Sequence, residues 1–97
     1  MTATPEYRVG IVGAGYIASW HADAIRARPG LRLAAVCDPA AEAAAGLAAS
    51  YGIAAFDDLQ AMIDAGVCDA VHILTPPHLH RDLALQCLRA GLHVLVE

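Results

Sequence analysis

Between Tyr7 and Ala18 the chain reads YRVGIVGAGYIA: a short apolar run, glycines at 13 and 15, then a helix-compatible segment. This junction restricts the fold more than any other stretch. A run of Val and Ile closed by glycine has the pattern of a strand buried on both faces, as the strands of parallel sheets are. Such a strand needs helices on both sides of its sheet, which points to an α/β architecture.

The remaining chain repeats the alternation. A helix is expected over Tyr16–Arg28, with Ile17, Ala18, Ala24 and Ile25 on one side and Pro29-Gly30 as its stop. Strand Leu31–Cys37, an Ala-rich helix Ala40–Gly52 and a brief strand Ile53–Phe56 follow. Asp57 or Asp58 caps a helix running to Gly66. Strand Asp69–Leu74, helix Leu79–Ala90 closed by Gly91, and strand Leu92–Glu97 complete the series. Successive βαβ units with right-handed crossovers predict a doubly wound, mostly parallel sheet of order 3-2-1-4-5 with helices on both faces. The expectation is one domain over residues 1–97, with no sixth strand. One Trp and one Phe leave Ala, Leu, Val and Ile to build the core, which suits helices lying close on a sheet.

A net charge of −4 argues against a nucleic-acid partner, whose binders concentrate Lys and Arg. Cys37, Cys68 and Cys87 are odd in number and lack C-x-x-C spacing, which favours a reducing cytoplasm over a disulfide framework. No basic-then-apolar leader precedes the first strand, and no apolar run approaches the ~20 residues that cross a bilayer. A cytoplasmic protein without membrane attachment is expected.

Gly13-Ala14-Gly15-Tyr16-Ile17-Ala18 matches G-x-G-x-x-[G/A] between a strand and a helix. Gly13 permits the tight turn, Gly15 lets a pyrophosphate approach the backbone, and Ala18 lets the helix lie close to the sheet. The amides at the helix start, together with its dipole, form an anion site that needs no basic side chain. Asp38, 25 residues after Gly13 and just past the second strand, stands near the ~20-residue spacing at which an acid meets the adenosine ribose. Its carboxylate would accept from a free 2′-hydroxyl and repel a 2′-phosphate. No Lys or Arg lies between Asp38 and Tyr51 to reverse this, so NAD is favoured over NADP. A turn-opening role before Pro39 is the plainer reading of Asp38.

Thr75-Pro76-Pro77 follows the fourth strand, where the strand order of a doubly wound sheet reverses and ligands gather. Here the sequence resembles the glucose-fructose oxidoreductase, inositol dehydrogenase and rhizopine-catabolism (Gfo/Idh/MocA) dehydrogenases. The resemblance rests on the glycine turn, VCDP at Val36–Pro39, DAVHILTPPHLH at Asp69–His80 and AGLHVLVE at Ala90–Glu97. It implies the N-terminal Rossmann part of an enzyme that transfers hydride to or from sugars, cyclitols or related polyols. It further implies Gly13, Gly15, Tyr16, Ile17, Asp38, Thr75 and Pro76 at the cofactor, His80 toward its ribose, and Glu97 near the nicotinamide; a plain polar residue at a helix start is the other reading of His80. In that family the last strand continues into Glu-Lys-Pro and then a C-terminal catalytic domain; here the text stops at the Glu, so a fragment that binds cofactor without turnover is expected. Leu92, where the family often has Lys, is a minor departure.

The other candidates read as structural. His78-x-His80 lacks the third and fourth ligands that zinc sites use. His72 is expected as a satisfied sheet residue and His93 as structural at the end away from the ligand crevice; Trp20 and His21 are expected as packing groups, although helix residues there can border the nicotinamide side. Cys37 and Cys87 are expected as apolar fillers and Cys68 as an exposed turn residue. Competing functions are a non-catalytic NAD-sensing or scaffold module, and an adenine ligand other than NAD, such as FAD or S-adenosylmethionine. The last strand, left as an uncovered edge, also predicts self-association.

Overall fold

The computed structural model describes residues 6–97; the expectation that no leader precedes the first strand falls on residues outside them. Five strands and four helices alternate: β1 Tyr7–Val12, α1 Ala18–Ala27, β2 Leu31–Cys37, α2 Ala41–Tyr51, β3 Ala54–Phe56, α3 Leu59–Asp64, β4 Ala70–Ile73, α4 Pro77–Arg89 and β5 His93–Val96. The strands form one sheet in the order β3-β2-β1-β4-β5, and every pairing is parallel. The expected topology is the observed one.

Side-chain parity assigns the two faces. Val9 and Ile11 of β1 pack with Ala18, Ala22 and Ile25 of α1 and with Ala44 and Ala48 of α2. Val12 joins Val71 and Ile73 of β4, Leu59 and Met62 of α3 and Cys87 of α4 on the other face. In β2, Leu33 and Val36 both belong to the first face although they are three residues apart, which strict alternation forbids. An irregularity resolves this: Val9 pairs with Leu33 but Gly10 pairs with Ala35, so one extra residue lies opposite the Val9–Gly10 step. Without it, the carboxyl half of β2 would present its core residues to the wrong side. On the second face the approach is close. A Cβ built on Gly10 would lie 2.6 Å from Cys68 Sγ and 3.1 Å from Met62 Cε.

Several element boundaries differ from expectation. α1 begins at Ala18 rather than Tyr16, because the glycine turn occupies the residues before it, and its buried stripe is Ala18, Ala22 and Ile25, with Ala24 exposed. α4 begins at Pro77 rather than Leu79. A proline at the first helical position costs no hydrogen bond and has the right φ, so Pro77 opens the helix rather than extending the loop. Of the two acids expected to cap α3, Asp58 does so, accepting the Ala61 amide at 3.0 Å. Cys68 is buried against Met62 rather than exposed, while Trp20 is 71% exposed rather than packed. Cys37 and Cys87 are buried fillers as expected.

The amino edge of the sheet is fastened by Asp69, which the sequence reading treated only as the start of a strand. Its Oδ2 accepts the Arg8 amide at 2.8 Å and Arg8 Nε at 3.1 Å, its Oδ1 accepts Nη2 at 2.9 Å, and its carbonyl accepts the His93 amide. One residue thus ties the starts of β1, β4 and β5. The hydrogen bonds from Arg8 hold its carboxyl at about 2. A carboxyl lowered by folding contributes stability above its unfolded value, near 4, and loses it as pH falls through the folded value. Wild type should therefore lose more stability than Asp69→Asn between about pH 4 and pH 2, as read by urea unfolding at each pH; parallel curves would contradict the assignment.

Candidate functional site

The carboxyl ends of β1, β2 and β4 converge on the glycine turn. Gly13 has φ +107°, a conformation that side chains rarely adopt. A Cβ there would lie 3.1 Å from the Leu74 carbonyl carbon and 3.2 Å from the Thr75 nitrogen. The loop after β4 therefore rests directly on Gly13. Above Gly15 there is open space: a Cβ would meet nothing within 4 Å. Among the described residues, the amides of Gly15, Tyr16 and Ile17 have no intramolecular acceptor, and Ile17 caps α1 without a side-chain hydrogen bond. These are the free donors that a helix start offers an anion. Ala18 is fully buried against the sheet, as close packing of α1 requires.

Asp38 is held from two sides. Its Oδ2 accepts the Ala14 amide at 2.7 Å and its Oδ1 accepts the Ala40 amide at 2.8 Å. The second bond is the turn-opening role; the first fastens the glycine turn to the end of β2. A carboxylate offers about four lone-pair positions, so two remain for hydroxyl donors.

A groove of about 590 Å³ joins these pieces. Gly13, Gly15, Asp38, Thr75 and Pro76 line it, together with apolar side chains including Leu79 and Leu83. Thr75 Oγ1 is buried with no hydrogen-bond partner. Buried hydroxyls are rarely left so, and a polar ligand in the groove would supply what is missing. Open space at Gly15, free amides, a fixed acid and an orphaned hydroxyl together fit a dinucleotide. Cys37 also lines the groove, but burial pushes its thiol up to about 11, so it adds no nucleophile.

The other expected site residues lie around the groove rather than in its lining. Tyr16 is 88% exposed on the turn. His80 donates from Nε2 to the Thr75 carbonyl, bracing the loop from α4. Glu97 stands past β5, where its Oε2 lies 3.3 Å from His21 Nε2. His21 in turn meets His72, Nδ1 to Nδ1, at 3.1 Å. His72 is thus the half-buried, partnered sheet residue expected, but its partner was not foreseen. The lining also includes Asp57 and Asp58 after β3, and Leu79, Leu83 and Gln86 on α4. The sequence reading missed all five for the groove, although Leu79 and Leu83, four apart on a helix beside the Thr-Pro-Pro loop, carried the signal.

Over residues 7–97 the chain matches the model of the Gfo/Idh/MocA group, an oxidoreductase family with an NAD-binding Rossmann fold. It belongs to this family. It is 41% identical to an inositol 2-dehydrogenase of Leifsonia xyli subsp. xyli and 42% identical to a D-glucoside 3-dehydrogenase of Escherichia coli, in each case over the whole of this chain. It spans 29% and 28% of those two proteins. Among solved structures it resembles the WlbA dehydrogenase of Bordetella pertussis, in complex with NADH and UDP-GlcNAcA, with a TM-score of 0.88 at 34% identity over 94% of this chain and 29% of that one. It also resembles KijD10, a 3-ketoreductase from Actinomadura kijaniata in complex with TDP-benzene and NADP, with a TM-score of 0.86 at 29% identity, covering 94% of this chain and 29% of that one.

The two glycines of this NAD-binding fold should separate under substitution. Gly13→Ala meets backbone that cannot move aside and should lose about 1–3 kcal/mol of stability in urea unfolding. Gly15→Ala meets nothing and should stay within about 0.5 kcal/mol of wild type, while its methyl group stands in the pyrophosphate's approach and should weaken NAD in calorimetry. Equal stability losses in both variants would contradict the geometry.

Proposed function

We propose that the chain is the cofactor-holding part of an NAD-dependent oxidoreductase that acts on sugars, cyclitols or related polyols by hydride transfer. The observation that carries this is the meeting of Gly15's open approach, the free amides of the turn before α1 and the doubly held Asp38 around one groove. Bound NAD supplies the hydride acceptor. The residues of this chain would then hold and orient it: the amides of Gly15, Tyr16 and Ile17 would receive the pyrophosphate and Asp38 the ribose hydroxyls, with Thr75 and Pro76 walling the loop side. Tyr16, Ile17, His80 and Glu97 flank the cofactor at the edges of the groove. The substrate class rests on the inositol and glucoside dehydrogenases that the chain resembles.

Asp38 favours NAD over NADP, since a 2′-phosphate would stand against a carboxylate fixed by two amides. Calorimetric titration of the purified chain should give saturable NAD binding and weaker NADP binding. Asp38→Asn should weaken NAD about 10- to 100-fold, the worth of one hydrogen bond to a charged group, and narrow the gap to NADP. No saturable binding of either would overturn the proposal. NAD should be added with a panel of polyols in the same samples. Binding without NADH formation supports a chain that holds cofactor and leaves substrate handling to further residues; sustained NADH formation would show turnover within these residues.

Three buried free cysteines support a reducing, cytoplasmic setting, and among the described residues no helix is long and apolar enough to cross a membrane. The outer edge of β5 is unpaired, with Leu95 and Val96 at 49% and 43% exposure. Such an edge invites a second strand, and self-association of the purified chain through it is expected. Light scattering at high micromolar concentration should give a mass above the monomer; a strictly monomeric mass would rule it out.

A further inference from the structure

On the α1 face of the sheet, away from the groove lining, two imidazoles and a carboxylate form a line. His72 Nδ1 lies 3.1 Å from His21 Nδ1, with the rings edge to face at 88°. His21 Nε2 lies 3.3 Å from Glu97 Oε2. We propose that these three side chains form a one-proton relay, in which His21 positions the Glu97 carboxylate and His72 controls the charge that His21 presents to it.

The proton count follows from the donors and acceptors. An ionised carboxylate offers no hydrogen, so in the proposed tautomer His21 carries its hydrogen at Nε2, on the side of Glu97. Two facing Nδ1 atoms at hydrogen-bond distance share one hydrogen. With both rings neutral it belongs to His72 Nδ1 and is donated to the lone pair of His21 Nδ1. When a proton arrives it enters at His72 Nε2, the shared hydrogen crosses to His21 Nδ1, and the positive charge appears on His21 beside Glu97. His72 is neutral in both states and exchanges its Nδ1–H form for the Nε2–H form. Two positive rings would set N–H against N–H, so the pair takes up one proton and not two.

The surroundings support this division. Burial and the neighbouring His21 both push the His72 imidazole down, against carrying charge. His21 is only 17% exposed at its side chain, but it reaches a carboxylate that is 56% exposed and so keeps its solvation. Charged groups nearby on α1, β1 and β5 have contacts of their own. On α1, Asp23 accepts from Tyr51 and Arg26 stacks over the Tyr51 ring. On β1, Arg8 pairs with Asp69, and on β5, His93 stands edge-on to Tyr7 at the opposite end. Glu97 is the charged group placed to answer His21. The relay bears on the cofactor only through the reading proposed above, since it sets the charge at the carboxyl edge of the sheet.

Nitrogen-edited NMR of the histidine rings, on the cofactor-free chain from pH 5 to 8, tests the relay without reference to NAD binding. His72 should pass from the Nδ1–H form at high pH to the Nε2–H form at low pH, with the same midpoint at which His21 becomes charged. Glu97→Gln, at an exposed side chain, should lower that midpoint, because the ring that gains charge loses its facing carboxylate. His72→Gln should uncouple His21, which then titrates alone. One unchanging tautomer at His72, or two independent midpoints in wild type, would overturn the proposal whether or not the chain binds NAD.

Discussion

The contact between Gly13 and the backbone of Leu74–Thr75 is what the site depends on. It sets how near the loop after β4 comes to the turn after β1, and both of these line the groove. A methyl group at position 13 would force the two loops apart, because the obstructing atoms are backbone. Asp38 then closes the third side by holding the Ala14 amide. Three loops from three strands are thereby fixed to one another by main-chain atoms and one carboxylate. The amides of α1 are left aimed with little freedom to lose on binding, and such preorganisation favours affinity.

That arrangement requires the strands to arrive in phase, and the irregularity in β2 supplies the phase. Leu33 and Val36 must both meet the α1–α2 layer, while Ala35 and Cys37 meet the α3–α4 layer. Moving the register by one residue within β2 satisfies both demands and brings Cys37 level with Val12, so that Asp38 emerges opposite Ala14. Small side chains make the packing possible. Ala18, Ala22, Ala44 and Ala48 bring two helices close to one face, and Gly10 lets Cys68 and Met62 close on the other.

The architecture and the groove's glycine turn, acid and Thr-Pro loop were legible because they rest on local signals. Strand–helix alternation, the spacing of Gly13, Gly15 and Ala18, and an acid at the end of β2 each express a constraint within a few residues. The element starts were less legible: Tyr16 and Ile17 are good helix residues held in a turn by the glycines before them, and Pro77 fits a loop or a first helical turn equally well. The long-range polar pairs escaped altogether. Asp69 meets Arg8 across 61 residues and His72 meets His21 across 51, distances over which composition and periodicity say nothing. Parity held the one available clue. With Val71 and Ile73 facing α3 and α4, His72 had to face α1, where His21 lies beside the buried stripe of Ala18, Ala22 and Ile25.

The two ends of the sheet divide the work between them. At the amino edge Asp69 satisfies Arg8, the β1 backbone and β5 within one residue, and its exposed ion pair tolerates solvent. Holding the starts of β1, β4 and β5 in register fixes where their carboxyl ends fall, because parallel strands of similar rise keep the offset with which they begin. The carboxyl edge can then leave amides, a hydroxyl and carboxylate lone pairs without internal partners. A fold that met every polar group internally at that edge would be no less stable, but it would offer a dinucleotide nothing to bind.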